Sequence, residues 1–180
     1  MDSMVAEKYF VWPFTKLPDG SYTMPDDFLY AIWRQLVIDG NAHRVFYDGA
    51  VKTAEDFARY MKLPVNYPVF VMDAERQKVV FAAWLNGVSE NAAYAHFFGL
   101  GRGSYQPEMS NMITEYWDKM NFFSVILGVL PEQNRKAIHV ATDCGFQILG
   151  TVPGLCLKAG GEVEPGTILY RPMMRKKGEI

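Results

Sequence analysis

The sequence predicts a mixed α/β protein: a central mixed sheet in which an antiparallel meander runs into β-α-β crossovers, with helices on both faces. Three observations predict it. Residues 69–100 hold three apolar runs rich in β-branched and aromatic residues, joined by short polar connections, which is the pattern of a meander. Residues 124–151 read as strand, proline turn, short helix, Gly-Phe, strand, a compact crossover. Between them, from Pro107 onward, Met109, Met112, Ile113, Tyr116, Trp117 and Met120 recur at helical spacing on one face.

The first third is less regular. Residues 9–12 form a short apolar strand closed by Pro13, and the stretch from Leu17 to Gly20 is a turn signal. Thr23 is a hydroxyl cap candidate, and Asp26 and Asp27 suit the first turn of a helix running to Ile38 or Asp39, where Gly40 ends it. Phe28, Leu29, Ile32, Trp33, Leu36 and Val37 give that helix one broad apolar face. Residues 43–47 are expected as a short strand with Asp48 and Gly49 as its turn. Thr53 and Asp56 then mark a second helix start, with Ala54, Phe57, Ala58 and Met61 on one side and Pro64 beyond its end.

The meander strands are expected at 69–72, 79–85 and 92–100. In the crossover, Val125, Ile126, Leu127, Val129 and Leu130 make a buried strand, Pro131 suits the following helix turn, and Asn134 to Cys144 carries small or apolar residues at helical spacing. Gly145 stands where a helix C-terminus favours a left-handed residue. Two last strands are expected within 146–157 and 167–170, around a glycine-rich loop at 159–162.

Composition narrows the function. The chain has 180 residues, 49% of them hydrophobic, enough for one domain with a substantial core. Its formal charge is −2, and its only basic cluster is Arg175, Lys176 and Lys177, so broad electrostatic binding of nucleic acid is not expected. The first residues lack the charge order and apolar core of a signal peptide, and no window reads as a membrane span. Cys144 and Cys156 have no CxxC or His-rich spacing, so reduced thiols in a cytoplasmic protein and no metal centre are expected.

The element order and the crossover residues resemble the GNAT superfamily of N-acetyltransferases. The resemblance is carried by Val129, Pro131, Asn134 and Ala137, followed by Gly145, Phe146 and Gly150. It spans roughly residues 68–172 well and the first third in outline. It implies a single GNAT-like domain over 1–180, with a variable acceptor-side part at 1–66, a CoA-binding core at 67–172 and a tail at 173–180. It further implies acetyl-CoA as co-substrate, with the third meander strand and the strand at 122–130 splaying apart to admit the pantetheine arm. The loop before the Met-rich helix would hold the pyrophosphate on backbone N–H groups, helped by the helix dipole.

The family's phosphate-loop pattern departs here. One alignment uses His96, Gly99 and Gly101; another places the turn at Gly101, Arg102, Gly103 and Ser104. The cofactor-binding candidates implied by the resemblance are therefore Phe98, Gly99, Leu100, Gly101, Arg102, Gly103, Ser104, Asn134 and Arg135. A plain strand-to-helix turn is the alternative for the glycines, and a helix-start cap the alternative for Asn134. The position where many members place a proton-donating Tyr on the helix after the Asn is Ala141. His96 and Glu90 are the catalytic candidates, as bases for an incoming amine, with a core histidine and a solvated loop glutamate as their alternatives. Tyr9, Trp12, Phe28, Tyr30 and Trp33 are expected to shape part of the acceptor side. The resulting expectation is acetyl transfer from acetyl-CoA to a small-molecule or peptide primary amine, in a soluble protein free to form a homo-oligomer. The competing expectation is a non-catalytic GNAT-like binding or structural protein, such as a virus-encoded or assembly component, that has lost acetyl transfer.

Overall fold

The computed structural model of the chain describes residues 8–101 and 107–173. In chain order it has β1 (Tyr9–Pro13), α1 (Asp26–Ile38), α2 (Ala42–Val45), α3 (Ala54–Met61), β2 (Tyr67–Asp73), β3 (Lys78–Ser89), β4 (Ala92–Gly99), α4 (Pro107–Met120), β5 (Val125–Pro131), α5 (Arg135–Asp143), β6 (Gln147–Leu157) and β7 (Val163–Pro172). The strands form one seven-stranded sheet in the order β1-β2-β3-β4-β5-β7-β6. Every pairing is antiparallel except β4 with β5. The meander and the crossovers stand as expected.

Strand alternation sorts the core into two layers. Phe70, Met72, Ala82, Trp84 and Phe98 point to the face covered by α1 and α3, where they meet Leu29, Ile32, Trp33, Leu36, Phe57 and Met61. Val69, Val71, Phe81, Ala83, Leu85, Ala93 and Ala95 point to the face covered by α4 and α5, against Met109, Ile113, Trp117, Val140 and Ala141. Helices therefore cover both faces.

Local signals are met at most helix ends. Thr53 and Asp56 form a reciprocal capping box at α3, as their spacing predicts. Asn134 Oδ1 accepts from the Ala137 N–H and caps α5. Thr23 does not cap α1; Pro25 is the N-cap, and the Thr23 hydroxyl donates instead to the Pro13 carbonyl while accepting from the Thr15 N–H. That exchange ties β1 to the start of α1. Lys62 pairs with Asp26 and joins α3 to α1. On the other face, Arg171 of β7 grips Asp118 of α4 with two hydrogen bonds of 3.0 and 2.7 Å and donates through Nε to the Cys144 carbonyl at 3.2 Å. Both charged side chains are about nine-tenths buried, so removing either partner would strand a charge in the interior.

The expected strand at 43–47 is instead α2, a single helical turn, followed by a bend. Its Phe46 is drawn into the aromatic core against Trp33, Phe57 and Trp84, which a strand lying on the sheet edge would not permit. The bend after it is held by the loop between β6 and β7. The Ala159 N–H donates to the Tyr47 carbonyl at 2.9 Å, and the Tyr47 hydroxyl reaches Cys156 Sγ at 3.8 Å. Gly49 lies at φ +75°, and a Cβ added there would sit 2.8 Å from Ala159 Cβ. No helix among the described residues is long and apolar enough to cross a membrane. Both cysteines are buried and free.

Gly49→Ala is expected to lower the unfolding free energy by about 2 kcal/mol, since it combines an unfavourable φ with a clash. Gly20→Ala, at φ +88° with nothing within 4 Å of the new Cβ, isolates the backbone cost. Its loss should be about half as large. Urea unfolding of both variants checks this; equal losses would show that the contact with Ala159 does not matter.

Candidate functional site

The site begins where two strands part. β4 and β5 pair in parallel at only three positions, Ala92 with Val125, Ala93 with Ile126 and Tyr94 with Leu127. Beyond these, β4 stays bound to β3 through Gly99 and β5 stays bound to β7 through Pro131. Residues 95–99 and 128–131 consequently face each other across a fork with no strand between them. A cleft of about 230 Å³ occupies the fork. Its sheet side is Ala95 to Gly99 and Gly128 to Pro131, α5 adds Asn134, Lys136, Ala137 and Ala141, and the first third adds Asn41, Arg44, Phe46, Tyr47, Asp48 and Tyr60.

His96 projects into this cleft from β4. Its ring stacks on Trp84, its cross-strand partner, at 4.7 Å between centroids and 8° between planes. Its Nε2 lies 3.0 Å from Asn86 Oδ1. An amide oxygen only accepts, so Nε2 carries the proton and Nδ1 keeps its lone pair. Burial pushes the His96 pKa from the ordinary 6.5 down to about 4, against an opposing pull from the Asp48 carboxylate. At neutral pH the ring is uncharged. Asn86 in turn donates from Nδ2 to Tyr60 Oη at 3.3 Å, so that hydroxyl is already accepting and its own proton is free to be donated. Burial raises the Tyr60 pKa, and also that of Tyr47, which keeps both phenols protonated.

The other predicted positions divide clearly. Phe98 and Gly99 line the cleft beside His96, and Asn134 lines it while capping α5. Leu100 is buried, with its N–H on the Val80 carbonyl. The Gly101 N–H donates to the Asp39 carboxylate at 2.6 Å. Arg102, Gly103 and Ser104 lie outside the described residues. Arg135 is exposed and does not line the cleft, whereas Lys136 does. Glu90 sits exposed at φ +50° in the β3–β4 turn, away from the cleft lining. His139 is exposed on α5 and lies 3.5 Å from Asp143.

The expected aromatic wall is also relocated. Trp12, Phe28, Tyr30 and Trp33 pack into the core beneath α1, and Tyr9 packs on the opposite face. The aromatics that the first third brings to the cleft are Phe46, Tyr47 and Tyr60, which join Trp84, Phe97 and Phe98 of the sheet. Sequence reading missed the first three because residues 43–47 were expected as a strand and the apolar side expected for α3 was Ala54, Phe57, Ala58 and Met61, without Tyr60. The run of three aromatic or acidic residues before Gly49 was the available signal. Among the described residues no group of three or more His, Cys, Asp or Glu could hold a metal ion.

Comparison with solved structures identifies the architecture. The ribosomal-protein-S5-alanine acetyltransferase from Vibrio fischeri superposes with a TM-score of 0.70 over 96% of this chain and 97% of its own, at 13% identity. The chain has the GNAT fold. Spermidine N-acetyltransferase from Vibrio cholerae, in complex with CoA and spermine, gives a TM-score of 0.69 over 92% of this chain and 96% of its own, at 12% identity. No family model matches the sequence, and no curated protein matches it. The GNAT fold here thus rests on three-dimensional likeness, with the forked β4 and β5 in the middle of the matched region.

The neutral His96 has a consequence for stability. Between about pH 6.5 and pH 4 the unfolded chain takes up a proton on this ring that the folded chain refuses, so stability falls as pH drops through that window and levels off below it. The contribution is at most about 3 kcal/mol. His96→Gln should lose less stability than the parent between pH 7 and pH 4.5 in urea titrations. Equal losses in the two proteins would contradict a buried neutral histidine.

Proposed function

We propose that the protein transfers an acetyl group from acetyl-CoA to a primary amine. The observation that carries this reading is the fork: β4 beyond Tyr94 and β5 beyond Leu127 keep their outer strand partners but not each other, so their inner edges face a cleft that Asn134, the cap of α5, also lines. An extended donor arm with amide groups would pair with such edges, and unpaired strand N–H groups would polarise its thioester carbonyl. Phe98, Gly99 and Asn134 would hold the arm. Leu100, Gly101, Arg102, Gly103, Ser104 and Arg135 remain the proposed contacts towards the phosphates. In this reading residues 67–172 form the donor-binding part of a single domain and residues 1–66 the acceptor side, working in the cytoplasm.

Acetyl-CoA supplies the thioester. The amine nitrogen bonds to its carbonyl carbon, the carbon–sulfur bond breaks, and the sulfur leaves with a proton. His96 offers Nδ1 to the amine side, either directly or through water; with a pKa near 4 it is a weak base and serves a nitrogen already made acidic by bond formation. Tyr60 is the hydroxyl whose proton is free, and we assign it the donor role that Ala141 cannot fill. Glu90 keeps only a remote role on this geometry.

A second reading, a GNAT-like binding protein without catalysis, is favoured by one contact. The Asp39 carboxylate occupies the Gly101 N–H that a phosphate would use, and it would repel one. Thermal shift separates the readings. At about 100 times its dissociation constant, acetyl-CoA should add roughly 2.7 kcal/mol of stability; no shift at millimolar acetyl-CoA would rule out transfer. Asp39→Asn should strengthen CoA binding by a few-fold if Asp39 competes for the loop. Tyr60→Phe should lower kcat by about 100-fold with the KM for acetyl-CoA unchanged. An unaltered kcat would remove Tyr60 from the mechanism.

A further inference from the structure

The charges on the cleft wall carry information about the acceptor. Among the described residues that line it, Asp48 is the only carboxylate, set against two cations, Arg44 and Lys136. Asp48 is exposed; its Oδ1 accepts from the Ala50 N–H at 3.0 Å, and the neighbouring Tyr47 carbonyl accepts from the Ala159 N–H at 2.9 Å. None of the three charged groups makes an ion pair within the described residues. Asp48 shares the cleft lining with His96, Tyr60 and Tyr47.

That end is apolar. Phe46 stacks on Trp84 at 5.8 Å and 11°, and Tyr60 stands edge-on to both at 5.7 and 6.0 Å. Trp84 is 2% exposed, with His96 on one face and Phe46 stacked on it as well, and Phe46 is 6% exposed. The half-buried Tyr60 and Tyr47 are therefore the rings left to touch an apolar body and to offer a cation–π surface to one ammonium. A polyamine with several cations has a different requirement. Each further ammonium entering this cleft would meet a net positive wall and lose its hydration without a counter-ion.

We infer that the acceptor is a monoamine, one ammonium on an apolar or aromatic body, with Asp48 as its counter-ion and the Tyr47 and Tyr60 rings against its body. This rests on the acetyl-transfer reading for the word acceptor, but the binding it describes needs no donor. The cleft therefore differs in substrate class from the spermidine enzyme whose fold it shares.

The test is isothermal titration of the full chain, without acetyl-CoA, using 2-phenylethylamine, its uncharged counterpart 2-phenylethanol, and spermidine. 2-Phenylethylamine should bind about tenfold more tightly than either of the others, the difference expected for one charge-paired, cation–π ammonium. Asp48→Asn should bring its affinity down to that of 2-phenylethanol, and Asp48→Glu should restore part of the loss. Spermidine binding as tightly as 2-phenylethylamine, no binding of 2-phenylethylamine, or an affinity untouched by Asp48→Asn would each overturn the inference. Should Asp48→Asn not fold, the three-ligand comparison on the parent chain decides alone. A chain that binds 2-phenylethylamine but never acetyl-CoA would sink acetyl transfer and leave this inference standing. A chain stabilised by acetyl-CoA that prefers spermidine would do the reverse.

Discussion

Two strands that stop pairing while each keeps its outer neighbour leave backbone donors and acceptors facing a gap, and a protein tolerates such a gap only where something polar can fill it. In this chain the gap opens after Tyr94 and Leu127, and the arrangement of the cleft follows from it. The side chains that would have met across a continuous sheet diverge: His96 and Phe98 turn toward α1 and α3, while Gly128 and Leu130 line the other arm beneath α5. The helix that follows β5 then starts at the open end, and its cap, Asn134, becomes a cleft residue by position. Fold and site are one geometric fact seen at two scales.

The chemistry of the cleft is distributed unusually between its walls. α5 contributes small residues, Ala137 and Ala141, and no hydroxyl. The opposite wall contributes the hydroxyls and the carboxylate, all from the first third of the chain. Asn86 links the two candidate proton carriers, accepting from His96 and donating to Tyr60. Because an amide cannot reverse those two roles without rotating, it orients both rings at once. Stacking on Trp84 fixes the plane of His96, and burial there keeps it neutral. The ring is thus set up as a lone-pair donor and hydrogen-bond partner, with little capacity to carry charge.

What the sequence made legible was periodic or punctuated. The meander, the Met-rich helix, the capping box at Thr53 and the turn from Pro131 to Asn134 each have a local cause, and local causes can be read from neighbours in the chain. Residues 43–47 were misread because their fate is decided by partners far away: Phe46 by Trp84 and Phe57, Tyr47 by Cys156 and Ala159. The same holds for the site. His96 could be named from its strand, and Asn134 from its helix start. Tyr60 and Asp39 could not, because each acquires its role from a residue 26 or 62 positions away. Glu90 illustrates the converse: it is near His96 in sequence, yet the hairpin turn carries it out of the cleft.

The last strand in chain order is not an edge strand. β7 lies between β5 and β6, and the loop that precedes it supplies Ala159, which holds the Tyr47 and Asp48 bend. Until residues 163–172 have been made and inserted, β5 has an open side and Asp118 has no Arg171 to meet. Contacts this distant in sequence close late because loop entropy must be overcome before they contribute. During synthesis, then, the two ends of the chain wait for one another, and an incomplete molecule holds the aromatic residues of its first third without the wall that they complete.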